Sequence, residues 1–425
     1  MIAGNNDTRT TTHKVVLPFY IYAALSFLAA AILLFTSSQV TGHYFQPHTL
    51  AITHAMTLGW GTMIILGTSH QLLPVLIEGK LYSNTLAYLS FAFAAVGIPL
   101  LVYAFYTFNM RWPAQYGAML INAAIVCYLI NVSASIAKCK HENVQSVFVF
   151  TAAIWLFITT AIGALLVYNF TYNILPRDSL HYLSLHAHAG IAGWFLLLVT
   201  GVGSRLIPMF LISKYDNKKL LWRIYALINL GLIAFVLLFV YSAKPVFYLF
   251  SALFIAAGLS LFVFYCYKAH QQRIRKRVDG QMKISLLSVL MMIAPLICLL
   301  LIVLLLLLSS VNGSLILAYG FSIFFGWLTA IILGMTFKTL PFIVWNKVYH
   351  AKAGLGKTPS PGDLFSKKIF NGMAISYVVG FGCFLIGILS ADDIAIKTGA
   401  ILLFCCAFLY NLNVFKILFH KQNSK

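Results

Sequence analysis

Hydrophobic positions in this chain come in long continuous runs, broken by brief polar stretches, rather than in short amphipathic strings. About 20 apolar residues is the length at which an α-helix crosses a bilayer, so each run predicts one membrane span. Twelve are expected, at roughly 16–37, 49–75, 83–107, 113–137, 145–170, 182–210, 219–241, 245–267, 284–308, 314–339, 369–391 and 396–418. The fold class is therefore all-α, an integral membrane bundle of 12 helices forming a single transmembrane domain over residues 1–425. The longest connection, about 342–368, reads as a flexible cytoplasmic loop. It contains Gly356-Lys357-Thr358, but Ala351 stands where a phosphate-binding loop needs its earlier glycine, and no strand precedes it.

Composition excludes a water-soluble surface, since 61% of residues are hydrophobic and 9% charged. The formal net charge of +20 could suggest a nucleic-acid partner, but its placement argues against one. Of the 29 Lys and Arg, only Arg111, Arg177, Lys244 and Lys397 fall in odd-numbered connections. That bias predicts a multi-pass protein of a bacterial-type inner membrane with both termini in the cytoplasm, and a lipid bilayer as the partner. The opening residues, MIAGNNDTRTTTHKV, lead into a span too long for a signal-peptide core, so no cleavage is expected. Seven scattered cysteines show no metal-ribbon or redox spacing and read as small apolar packers.

An internal repeat sharpens the picture. Gly-Trp occurs as Gly59-Trp60, Gly193-Trp194 and Gly326-Trp327, separated by 134 and 133 residues. Seven residues after each Trp comes Gly67, Gly201 or Gly334, and fourteen after it Pro74, Pro208 or Pro341. The copies fall in spans two, six and ten, which predicts three pseudo-repeated four-helix units, approximately 1–140, 141–280 and 281–425. The glycines read as sites of close helix approach around a pseudo-threefold axis. The prolines, about 21 Å below the tryptophans, sit near the helix ends. Function is then expected where the copies differ.

They differ just before the tryptophans. Six residues before, the copies carry His54, His188 and Phe321; eight before, Ile52, His186 and Tyr319. With His43, His48 and His181, six of the 12 histidines gather at the outer end of two spans. Intramembrane histidines are costly and usually functional. At 100° per residue, His186 and His188 face opposite sides of one helix and cannot hold one metal together. Opposed imidazoles at one depth suit two centres flanking the helix, for which a planar haem, held by a single axial nitrogen, is the natural group. The bland reading is polar glue between helices. His70 lies 16 residues after His54, about 24 Å along the helix, and reads as a capping or snorkelling residue. Arg205 and Lys338, near the closing prolines of spans six and ten, read as interfacial anchors. All nine acids lie outside or at the edges of the spans, so proton pumping is not expected.

The stretch HAHAGIAGWFLLLVTGVGSRLIPMF, residues 186–210, resembles the His-x-His helix of the heme-copper oxidase catalytic subunit I, most closely its C-type, cytochrome-c-oxidising branch. The first copy, HAMTLGWGTMIILGTSHQLLPVL, resembles a second instance of that signature. The resemblance implies a membrane haem protein that handles electrons and a diatomic gas, O2 or NO, with cytochrome c or another electron-donor subunit as partner. It implies His186 as the axial ligand of a high-spin haem open to gas, and His188 with His54 as the ligands of a six-coordinate low-spin haem. In that family the pair sits on the tenth helix; here it sits on the sixth. Span seven has no histidine, so His43, His48 and His181 are the remaining candidates for a copper ion. A second resemblance is to the NnrS-type haem and copper membrane proteins of nitric oxide tolerance, which share the His-x-His with downstream glycines. A haem-free transporter using its histidines for substrate or protons is the alternative from another class.

Overall fold

The computed structural model describes residues 11–37, 42–138, 143–274, 276–352 and 358–422. Among them are 12 helices long and apolar enough to cross a membrane. They are α1 (His13–Thr36), α2 (Pro47–Leu76), α3 (Asn84–Tyr106), α4 (Trp112–Ala137), α5 (Val144–Tyr172) and α6 (Leu183–Leu211). Then follow α7 (Lys218–Val240), α8 (Pro245–Gln271), α9 (Gly280–Leu307), α10 (Gly313–Tyr349), α11 (Lys367–Ser390) and α12 (Asp393–Leu418). The protein is thus an all-α membrane bundle. An even number of crossings places both ends of the chain at the same face of the bundle.

Three helices form the centre. In α2, α6 and α10 the most apolar stretch is 78, 72 and 72% buried within the protein, against 22–50% in the others, whose remaining surface is apolar and suits lipid. Glycine makes the close contacts. A Cβ on Gly67 would lie 2.6 Å from the Phe19 Cβ of α1, one on Gly201 2.3 Å from the Phe148 Cβ of α5, and one on Gly334 2.2 Å from the Ser285 Oγ of α9. Each central helix therefore leans on the helix before it at the same height. The outer pairs α3/α4, α7/α8 and α11/α12 also meet at glycines, as where Gly117 approaches the Gly97 carbonyl and Gly399 the Phe384 backbone. The ring closes where Asn411 of α12 donates to the Ala24 carbonyl of α1 (2.8 Å).

Each central helix is also π-helical at its Gly-Trp dipeptide, over Ala55–Thr62, Ala189–Leu196 and Ser322–Leu328. Such wider turns are uncommon and concentrate at functional sites. They carry the three indoles to the axis, where a hydrogen-bond cycle begins. Trp60 Nε1 donates to Thr329 Oγ1 (3.2 Å) and Trp194 Nε1 to Thr62 Oγ1 (3.1 Å). Each acceptor lies two residues after a neighbouring copy's tryptophan. Among the described residues the third link is missing: the position two residues after Trp194 holds Leu196, and the buried Trp327 Nε1 has no partner.

One expectation changes at the face that carries the termini. Helix α10 continues to Tyr349, so the first part of the 342–368 connection is helical. Its far end is anchored rather than loose: Trp345 Nε1 donates to the Pro359 carbonyl (2.6 Å), and Leu364 and Phe365 are 1% and 5% exposed. Apolar burial overrides the turn-forming residues there. Gly356 and Lys357 lie outside the described residues. Lys338 bonds Asp279, which also caps the start of α9 through the Met282 amide, and so ties α9 to α10.

Candidate haem-type site between the central helices

The site begins with three imidazoles fixed by backbone. His54 and His188 sit just before a π-segment, and their Nδ1 atoms donate one turn back to the Leu50 carbonyl (2.8 Å) and the Ser184 carbonyl (2.8 Å). His186 Nδ1 donates across to the Thr159 carbonyl of α5 (3.0 Å). A carbonyl oxygen can only accept, so Nδ1 carries the proton in all three rings and Nε2 keeps its lone pair. This is how a metal-ligating histidine is usually held. The His186 ring has room because residue 163 is glycine; a Cβ there would lie 2.9 Å from the ring.

All three imidazoles line one cavity of about 470 Å³ between the central helices. Its walls are mostly aliphatic and aromatic, and among the described residues no Asp, Glu, Lys or Arg lines it. The Asn122 amide on its wall is already engaged by the Ala118 and Thr160 carbonyls (2.9 and 3.0 Å). The free nitrogens of the histidines are thus prominent polar features in an apolar chamber of the size small ligands and cofactors occupy.

The structure pairs the rings differently from the family-based expectation. His54 faces His186, with centroids 6.4 Å apart and planes within 16°. His188 points to the other side of α6, against Phe235 (4.8 Å) and Tyr319 (6.0 Å, 25°). The reason is the helical rotation between positions 186 and 188, which aims His186 at the α2–α6 seam and His188 at the α6–α10 seam. Phe105 of α3 backs His54 at 4.4 Å, a support that no sequence motif signalled.

The proposed copper histidines do not converge. His43 stacks on Tyr44 (4.3 Å), His48 on Tyr106 (4.4 Å), and His181 packs against Tyr182 and Phe239 (4.9 and 5.2 Å). Among the described residues, no three His, Cys, Asp or Glu side chains group so as to hold a metal ion. Shared location at one end of the bundle did not translate into a shared centre: His43 and His48, at the start of α2, and His181, just before α6, each pack on a different aromatic partner.

Haem fits the donor set. His54 and His186 stand 6.4 Å apart with near-parallel planes, each with Nδ1 committed to a carbonyl and its Nε2 lone pair available to a metal. Compared with known proteins, the chain matches no protein-family model and no curated protein sequence.

Proposed function

We propose that the protein is a membrane haem protein that handles electrons and a diatomic gas, O2 or NO, at the histidine-bearing face of its central helices. The observation that carries this reading is the His54–His186 pair, with ring centres 6.4 Å apart and both Nε2 atoms free. These two residues would hold a haem iron. His188, on the other side of α6 and opposite Tyr319, would hold a second. Bound there, haem would supply one-electron redox chemistry and a binding place for the gas. The protein's own residues fix the imidazole tautomers through the Leu50, Thr159 and Ser184 carbonyls and surround the site with apolar side chains that exclude water. By the distribution of Lys and Arg, both termini face the cytoplasm of a bacterial-type inner membrane.

An optical spectrum of the full chain, purified in detergent after haem-replete expression, tests this. A Soret band with low-spin features is expected, together with a carbon monoxide shift in the reduced form. Absence of a Soret band sinks the reading and favours a haem-free transporter. Replacing His188 should remove the carbon monoxide shift and spare the low-spin bands; replacing His186 should do the reverse.

A further inference from the structure

The central helices surround a second chamber, of about 90 Å³, on the terminus side of the indoles. The tryptophan layer lies between the two spaces: Thr62 and Trp194 line the large cavity, while the chamber begins at Ile64, Leu198 and Leu328. Its walls follow the repeat. Four residues after each tryptophan stand Ile64, Leu198 and Ile331, and five after, Ile65, Val199 and Ile332, all of them lining it. His70, on the same half of α2, lies outside it. That residue is 1% exposed, with its ring between Phe19 (5.4 Å) and Tyr128 (5.6 Å), and is not a snorkelling residue.

The hydroxyls that border this chamber are already engaged. Thr68 donates to the Ile64 carbonyl (2.7 Å) and Thr339 to the Met335 carbonyl (3.0 Å). The Tyr20 hydroxyl of α1 bridges these two threonines, at 3.1 and 2.8 Å, and Thr336 accepts from the Tyr410 hydroxyl (3.1 Å). Among the described residues, no buried side-chain polar atom without a partner belongs to a lining residue. An internal water needs about two to four polar partners, so these walls favour an apolar occupant. Packing does not account for the space either, since protein interiors keep few voids larger than a water molecule. On α6, the Phe148 contact at 2.3 Å forces Gly201, whereas a Cβ on Gly203 would meet its nearest neighbour, Phe262 Cζ, at an ordinary 3.4 Å. The other copies carry Ser69 and Thr336 at that position, and isoleucine where the second has Val199. Both Gly203 and Val199 line the chamber, so the second repeat widens it where helix contact does not demand a small residue.

We propose that this axial chamber is a binding site for one small uncharged gas molecule, separate from the histidine site. Size and chemistry select the class. An apolar cavity of about 150 Å³ takes up benzene or xenon. At about 90 Å³ this one suits a single gas atom or a diatomic rather than a ring. With its hydroxyls engaged, it offers an ion or a polar ligand no compensation for lost hydration, and its hold on an occupant comes from dispersion and apolar burial. None of His54, His186 and His188 lines it, so the chamber does not rest on the haem reading.

Crystals of the full chain pressurised with xenon test the site. An anomalous peak is expected on the axis between Ile64, Leu198 and Ile331, and its absence overturns the proposal. Val199→Ile combined with Val202→Met gives the second repeat the residues that the third carries as Ile332 and Met335. Both positions line the chamber, so the pair should lower xenon occupancy about tenfold by filling it. Should the pair fail to fold, Val199→Ile alone should lower occupancy about twofold. An undiminished peak in the folded variant overturns the assignment. Dissolved oxygen, a paramagnetic diatomic, tests the class of ligand. In methyl NMR of the detergent-purified chain, it should relax Ile64 and Ile331 more strongly than Ile224 and Ile228, which are buried away from the axis. Equal relaxation of the two sets overturns the gas assignment. An optical spectrum without haem would end the reading of the large cavity and leave each of these outcomes to decide the chamber.

Discussion

The first and third repeats share a backbone and part in chemistry. Where the first places His54, the third places Phe321, stacked with Phe325, Phe381 and Phe384 at 5.2, 5.5 and 4.6 Å. Where the first buries His70, the third buries Phe337. The third copy shows what the architecture demands for stability alone: aromatic filling, a π-turn and glycines at helix contacts. The histidines of the first copy are additions to that scaffold, and they cost desolvation without contributing packing that phenylalanine could not.

The sharpest way to break this comparison is to make the first repeat resemble the third. His54→Phe should leave a folded bundle and abolish the low-spin optical bands completely; retention of those bands would remove His54 from the site. Scaffold glycines should behave in the opposite way. Gly201→Ala and Gly334→Ala force contacts of 2.3 and 2.2 Å, the latter also meeting the Gln281 carbonyl at 2.7 Å. Each should destabilise by about 1–3 kcal/mol or more, read as a lower midpoint of thermal unfolding in detergent. By contrast, the three atoms nearest a Cβ on Gly163 all belong to the His186 ring, so Gly163→Ala should shift the optical bands with little change in that midpoint.

The hydrogen-bond cycle offers a finer test. Trp60→Phe and Trp194→Phe each remove an indole bond between central helices, whereas Trp327→Phe removes none. The first two should cost about 0.6–1.7 kcal/mol more than the third, the range found for such bonds in membranes. Equal losses would mean that the cycle contributes nothing. The smallest effect belongs to the peripheral histidines. Because His43, His48 and His181 each pack on their own aromatic neighbour, replacing any one with alanine should leave the optical spectrum unchanged. A change in metal content or bands would restore them as ligands.

Much of this molecule was legible before any coordinates. Apolar run length dictated twelve crossings, because a bilayer admits few ways to satisfy a backbone other than helices of a set length. The Gly-Trp spacing pointed to α2, α6 and α10, and the 100° rotation per residue separated His186 from His188. Extrapolation from family roles joined His54 to His188, and periodicity alone could not correct it, since which seam each ring enters depends on the order of the central helices. The sequence likewise carried no signal for the π-turns, the Gly163 notch or the Phe105 backing. Shared depth was visible for His43, His48 and His181, but depth is one coordinate of three.

Local chemistry, then, determined that this chain lives in a bilayer as helices and where along them its imidazoles fall, because hydrophobicity and helical rise act residue by residue. Only the tertiary structure decided which imidazoles share a chamber and that His70 is sealed among aromatic rings. Those facts depend on how three distant helices rotate about their own axes when glycine contacts lock them together.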